Sequence, residues 1–271
     1  MVFSRQYNRI RSSLSEYPRD FWTLVVATFI DRLGGSILFP FFTLYVTRKF
    51  DVGMTTVGLI FGIFSITGMV GSTIGGALAD RWGRKPMLLF GLVMSAISSL
   101  WLGTVNDLDL FILGAVITGV FSRVGGPAQQ ALVADILPEQ QRAQGYGIIR
   151  VTFNLSVTLG PAIGGLLATQ SYLSLFIADA VSSIVVAAIV FFILPETLAK
   201  ATHAQPESFM STIKGYGQVF RDQAFMYFFL ASTLSAMVYM QMNSTLSVYL
   251  RDFHGIPARG FGYILSMNAA M

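Results

Sequence analysis

The chain has no cysteine, and only two histidines, His203 and His254, in 271 residues. Without cysteine there can be no disulfide framework, no thiolate metal site and no thiol nucleophile. Two histidines leave little room for a metal centre. Charge is also scarce: 12% of the residues are Asp, Glu, Lys or Arg, against about 25% in soluble domains. No G-x4-G-K-[ST] run occurs, so nothing supports ATP hydrolysis. What is abundant is apolar surface, with 54% hydrophobic residues and a mean hydropathy of +0.63. A soluble fold cannot hide that much, so the excess faces lipid. These absences exclude a cytosolic enzyme, a secreted scaffold and a disordered chain, and leave an all-α integral membrane protein without a cofactor or metal. The net charge of +4 reads as basic cytoplasmic loops rather than as nucleic-acid binding.

A crossing helix needs about 20 mostly apolar residues. Such runs lie at 21–47, 56–79, 86–105, 110–134, 143–169, 172–194 and 223–250, and an eighth begins near Gly262. The first run is too long for a cleavable signal peptide and carries Asp31 and Arg32. With the N-terminus inside, Arg5, Arg9, Arg11, Arg19, Arg81, Arg84, Lys85, Arg142, Lys200, Lys214 and Arg221 are cytoplasmic, whereas Arg48, Lys49, Arg251 and Arg259 are outside. That asymmetry supports a cytoplasmic N-terminus. The expected organisation is a basic segment 1–20, a six-helix bundle 21–194, a cytoplasmic central loop 195–222 and the start of a second bundle at 223–271.

Residues 44–60 and 248–264 match at a constant offset of 204: Leu44-Tyr45-Val46 over Val248-Tyr249-Leu250, and Val57-Gly58-Leu59-Ile60 over Phe261-Gly262-Tyr263-Ile264. Each stretch leaves a span, crosses a short polar loop and re-enters. A parallel duplication of a six-span unit would give this offset, and a full repeat pair needs roughly 400 residues. The expectation is one complete half and the opening of a second. It would be a monomer at full length and need a complementing half if truncated.

The loop between spans two and three reads Gly76-Ala77-Leu78-Ala79-Asp80-Arg81-Trp82-Gly83-Arg84-Lys85. It closely resembles the G-x-L-a-D-R-x-G-R-K signature of the major facilitator superfamily. Physically, Gly76 permits close helix approach, Gly83 supplies the turn and Asp80 faces fixed cations. In span five, Gly147, Ser156, Gly160, Pro161, Gly164 and Gly165 resemble the G-x8-G-x3-G-P-x2-G-G motif of the drug/proton antiporter branch, with Ser156 replacing one Gly. Asp31 with Pro40 nine residues on, and the Pro195-Glu196-Thr197 ending of span six, fit the same family. One departure stands out. The Arg often found early in span four is replaced near Ile117, and Arg123 comes about six residues later.

The resemblance implies two bundles rocking about a midplane site, with Asp135, Arg142 and Glu196 joining Arg81 and Arg84 in a cytoplasmic latch, and Arg150 at the same level. A charge in mid-bilayer costs about 2.5–3.5 kcal/mol on insertion scales and so faces a partner or a cavity. At 1.5 Å per residue, Asp31 and Arg123 both lie about 15 Å from the cytoplasmic end. The resemblance implies that spans one and four both line the central cavity and so face each other, and Asp31 is expected to be a protonatable carboxylate balanced by Arg123. A static pair is the alternative, and Arg32 is a rival partner. Asp179, about 10 Å from the outer surface, is a second titrating site or a structural residue. Phe121, Gln129, Asn154, Tyr239, Gln241 and Asn243 are possible substrate contacts, although aromatic and Met-rich stripes at helical spacing also serve packing.

The function expected is proton-driven export of hydrophobic or cationic small molecules across a bacterial inner membrane, powered by the proton gradient with no cofactor. A sugar or metabolite facilitator and a non-transporting seven-span protein are the alternatives.

Overall fold

The computed structural model describes residues 16–197 and 222–271. The basic residues Arg5, Arg9, Arg11, Lys200, Lys214 and Arg221 lie outside the described residues, as does nearly all of the central loop. Within the described residues the protein is entirely helical: α1 (Arg19–Leu38), a 3-10 turn at Phe39–Phe41, α2 (Phe42–Phe50), α3 (Met54–Trp82), α4 (Arg84–Thr104), α5 (Leu108–Ser122), α6 (Gly125–Ile136), α7 (Glu139–Gln170), α8 (Leu173–Ile193), α9 (Gln223–Ser244), α10 (Leu246–His254) and α11 (Ala258–Ala270). Counting α1–α2 and α5–α6 as one span each, seven helical segments are long and apolar enough to cross a membrane.

Two of the spans are broken, and each break has a local cause. Pro40 has no N–H to return to the carbonyl one turn earlier, and α1 gives way there to the 3-10 turn. Pro127 likewise cannot bond the carbonyl of Arg123, and α5 ends at Ser122. The Arg123 carbonyl instead accepts the Gly126 N–H at 3.3 Å. Two helix starts carry a side-chain cap: Asp107 accepts the Leu110 N–H at 2.9 Å and Asp222 accepts the Phe225 N–H at 3.1 Å.

Burial runs opposite to that of a water-soluble bundle. On α3 the buried positions include Gly68, Gly71 and Gly75, while Leu59, Ile66 and Met69 are two-thirds exposed. Large apolar side chains face outward, where lipid would be, and small ones face neighbouring helices. The closest approach is between α3 and the α5–α6 span. A Cβ on Gly71 would strike the Val120 carbonyl, and one on Gly75 would strike the Val124 backbone. Gly91 of α4 meets Gly125 in the same way. Gly76, expected to be the close-approach residue, has only an ordinary contact, 3.8 Å, to Pro127. The helical repeat turns its neighbour Gly75 toward the seam instead.

Helix α1 packs on α7 and α8, α4 packs on α8, and α11 packs on α7. Three apolar cores result. One, around Phe21, Leu24, Leu132 and Leu194, sits toward the end carrying the Asp80–Lys85 loop. A second, around Phe42, Tyr45, Phe111 and Phe176, sits at the opposite end. The third joins the first six spans to α10 and α11 through Phe41, Leu44, Val248, Phe261 and Leu265.

The offset of 204 recurs in three dimensions. Helix α2 begins at Phe42 and ends at Phe50, and α10 begins at Leu246 and ends at His254, each bound shifted by 204. Both helices close on a left-handed residue, Asp51 (φ 52°) and Gly255 (φ 64°). The next helices begin at Met54 and Ala258, again 204 apart. Arg251 donates to Thr47 Oγ1 at 3.1 Å, so two positions related by that offset touch each other.

Candidate functional site

In the middle of the bundle, Asp31 and Arg32 sit on α1. The Arg32 guanidinium donates to Gln129 Oε1 at 3.4 Å, and Gln129 Nε2 donates to Thr28 Oγ1 at 3.0 Å. Arg32, Gln129 and Thr28 thus link α1 to α6. Among the described residues no ion pair joins Asp31 to Arg123; the pairs formed are Arg84–Asp80, Arg84–Asp135 and Arg251–Asp252. Arg32 is the stronger charge acting on Asp31, with Arg123 second. Arg123 thus acts on Asp31 through its charge and not through a direct ion pair. Arg123 stands at the helix break, and its Cγ lies 3.2 Å from where a Gly68 Cβ would be, so its side chain runs over α3. Equal depth along two helices fixes height but not bearing.

Asp179 on α8 is only 9% exposed. It accepts a hydrogen bond from Ser99 of α4, and its Oδ1 lies 3.2 Å from the Cβ position of Gly34 on α1. Its neighbour in charge is Asp31. Two carboxylates on adjacent helices therefore share one electrostatic neighbourhood, with a hydroxyl held against one of them. Ser99 was not singled out from the sequence, although a Ser98-Ser99 pair inside an apolar span was a signal for it.

At one end of the bundle the motif loop closes a compact network. Gly83 turns the chain at φ 111°, which favours glycine. Arg84 pairs with Asp80 one turn back and with Asp135 of α6 at 3.5 Å. Thr197 Oγ1 donates to Asp135 Oδ2 at 2.9 Å. Glu196 accepts the backbone N–H groups of Arg84 and Lys85 at 3.0 and 3.1 Å, an anion at a helix N-terminus. The Lys85 ammonium donates to the carbonyls of Phe191 and Leu194 at 2.8 and 2.7 Å. Asp80, Arg84, Lys85, Asp135 and Glu196 are thus brought together. Arg142 is not among them: its Nε donates to the Leu137 carbonyl at 3.2 Å. Arg81 and Arg150 point outward and form no hydrogen bond or ion pair among the described residues.

The small-residue stripe of α7 serves two partners. Ser156, fully buried, donates to the Phe29 carbonyl at 3.2 Å, and Gly160 and Gly164 abut Ser36 and Ile37 of α1. Gly165 and Pro161 face Arg259 and Gly262 of α11. A Cβ added at Gly147 would meet nothing within 4 Å, so the expected sixth member of the stripe takes no part in this close packing. Of the residues read as substrate contacts, Gln129 lies in the α1–α6 network. Phe121 packs edge-on against Phe90 of α4, with centroids 5.9 Å apart. Asn154, Tyr239 and Gln241 are exposed and Asn243 is half-buried. The structure does not gather these residues into one pocket.

A family model described as the Major Facilitator Superfamily matches residues 24–271. Among curated proteins, the chain is 26% identical over 253 residues to a Na(+), Li(+), K(+)/H(+) antiporter of Planococcus maritimus, covering 88% of this chain and 59% of that protein. It is 30% identical over 156 residues to the quinolone resistance protein NorA of Staphylococcus aureus, covering 57% of this chain and 39% of that protein. Among solved structures, an inward-facing bacterial homologue of the human lysosomal transporter Spinster aligns with a TM-score of 0.77 at 14% identity, over 93% of this chain and 59% of that one. The nucleoside transporter NupG aligns with 0.76 at 14% identity, over 93% and 65%. The chain spans less than two thirds of the length of each of these proteins. The match along nearly the whole chain, the Gly76–Lys85 loop and the helical layout lead to one assignment: this chain belongs to the Major Facilitator Superfamily.

Proposed function

We propose that the protein is a proton-coupled secondary transporter that exports hydrophobic or cationic small molecules by alternating access, resident in a bacterial inner membrane with the Asp80–Lys85 end cytoplasmic. The observation that carries this reading is the intramembrane carboxylate Asp31, set beside Arg32 and Arg123 and within electrostatic reach of Asp179. A carboxylate kept in a span at this energetic cost serves a pathway or a proton. Protonation of Asp31 removes the negative charge that Arg32 and Arg123 act on, and a cationic substrate competes for the same carboxylate. The basic loops and the antiporter among the relatives agree with the orientation and the coupling.

The test uses the full-length protein in proteoliposomes with an imposed pH gradient. Asp31→Asn is expected to abolish gradient-driven transport of a lipophilic cation while the protein still folds and inserts. Undiminished coupling in that variant would sink the proposal.

A second reading, exchange of alkali cations for protons, is favoured by a specific arrangement: Asp31, Asp179 and the Ser99 hydroxyl offer hard oxygen donors in one neighbourhood. The relative from Planococcus maritimus carries that activity in its name. Collapse of the pH gradient by sodium, but not by lipophilic cations, would favour this reading. Dependence on Asp179 as well as on Asp31 would strengthen it.

A further inference from the structure

At the end away from the Asp80–Lys85 loop, α2, the last turn of α4 and the α7–α8 connection border an open surface pocket of about 380 Å³. Its walls include Tyr45, Arg48, Lys49, Gly103, Ser171 and Tyr172. Two cations adjacent in sequence line it, and neither has an acidic partner among the described residues. The other two cations at this end are engaged elsewhere. Arg251 forms a two-pronged pair with Asp252 at 2.6 and 3.2 Å, and its hydrogen bond holds the Asp252 carboxyl below the usual carboxylate range. Arg259 donates to Tyr263 at 3.2 Å.

Lys49 is fixed in place. Its ammonium donates to the Tyr45 hydroxyl at 2.8 Å and the Gly103 carbonyl at 3.2 Å, and that hydroxyl in turn donates to the Leu102 carbonyl at 2.6 Å. Two of its three N–H groups are used, and one remains to donate. Ser171 accepts the Leu173 N–H through its hydroxyl oxygen at 3.2 Å, which leaves the hydroxyl proton available. The Arg48 guanidinium hydrogen-bonds the Tyr172 side chain, and Tyr172 also lies within electrostatic reach of Arg251, so Arg48 is held at the pocket wall with donors to spare. Like charges placed side by side repel unless an anion sits between them. Arg48 and Lys49 also oppose the positional bias that keeps Lys and Arg at the other end of the bundle.

We infer that this pocket binds a phosphate group, which accepts from the Arg48 guanidinium, the free N–H of Lys49 and the Ser171 hydroxyl. The group is that of an anionic lipid headgroup or of a free phosphate. Either occupant would also attract Arg251 and so draw α10 toward α2.

The test is thermal unfolding of the purified full-length protein in detergent, titrated separately with dihexanoyl phosphatidylglycerol, dihexanoyl phosphatidylcholine and inorganic phosphate. Arg48 is exposed and gives up only its hydrogen bond to Tyr172, so Arg48→Gln should fold. Lys49→Gln is the second variant, and Arg259→Gln, at the same end but outside the pocket, is the control. Expected are stabilisation by the anionic lipid, an apparent affinity about tenfold weaker in Arg48→Gln, no change in Arg259→Gln, and weakening by salt. Equal protection by inorganic phosphate, competing with the lipid, would identify a free-anion site, while protection by the glycerol lipid alone would identify a headgroup site. Equal protection by the choline lipid with no loss in Arg48→Gln, or no protection by any of the three probes, overturns the inference.

Discussion

A single carboxylate shows how much one side chain organises at the loop end. Glu196 follows the last span of the first six and accepts the N–H groups that open α4, while the same turn carries Thr197 to Asp135. Its removal leaves two first-turn donors without their anion. Glu196→Ala is therefore expected to lower stability by about 1–2 kcal/mol, read as a lower unfolding midpoint in detergent. Arg142→Ala, which gives up only a hydrogen bond to its own turn region, should do less. Not every residue of this end was legible beforehand. The expected latch of Arg81, Arg84, Asp135, Arg142 and Glu196 came from the family that the Gly76–Lys85 motif resembles, and of these Arg84, Asp135 and Glu196 are brought together. The exclusion of Arg142 and Arg150 depends on side-chain direction, which spacing does not carry. The same gap separates the expected Asp31–Arg123 pair from the observed Arg32–Gln129 link.

Helices were the most legible objects in the chain. Length, hydropathy and punctuation by Gly, Pro and charge placed every span, because a bilayer imposes one length on all of them. The breaks were not anticipated: 21–47, 110–134 and 223–250 read as continuous spans, whereas helices end at Leu38, Ser122 and Ser244, the first two where Pro40 and Pro127 each deprive a carbonyl of its donor. Which glycine faces which neighbour was not legible, since a helix that is apolar all round gives no moment to orient it. The seam between α3 and the α5–α6 span turns on that detail. Gly71→Ala is expected to cost about 1–3 kcal/mol, because the added methyl meets the Val120 carbonyl and the backbones must part. Gly62→Ala, which meets nothing within 4 Å, should be neutral or gain up to about 1 kcal/mol from helix propensity. Parallel unfolding measurements on the two variants settle the comparison.

Across the whole molecule, the repeat ties the two ends of the chain together. The short match at offset 204 was readable because duplicated segments keep their turn residues. Its spatial counterpart, α2 against α10 with Thr47 touching Arg251, needed three dimensions. That contact reports directly on motion. These 271 residues contain no cysteine, so with any cysteine outside them replaced, cysteines placed at positions 47 and 251 of the full-length protein are expected to be joined by a short bifunctional thiol reagent. If the halves rock, the yield should change with the pH gradient; a yield indifferent to the gradient would mean that this end stays shut. The glycine seam has a further consequence, at the level of the gene. A glycine codon reaches only Ala, Val, Ser, Cys, Asp, Glu, Arg or Trp by one base change, and each of these adds at least the methyl that Gly71 and Gly75 cannot house. Apart from silent third-base changes, these two codons have no one-step neighbour that the seam can take without its backbones parting, while those for Gly62 and Gly147 do, so amino-acid variation in this protein is expected to flow around the seam rather than through it.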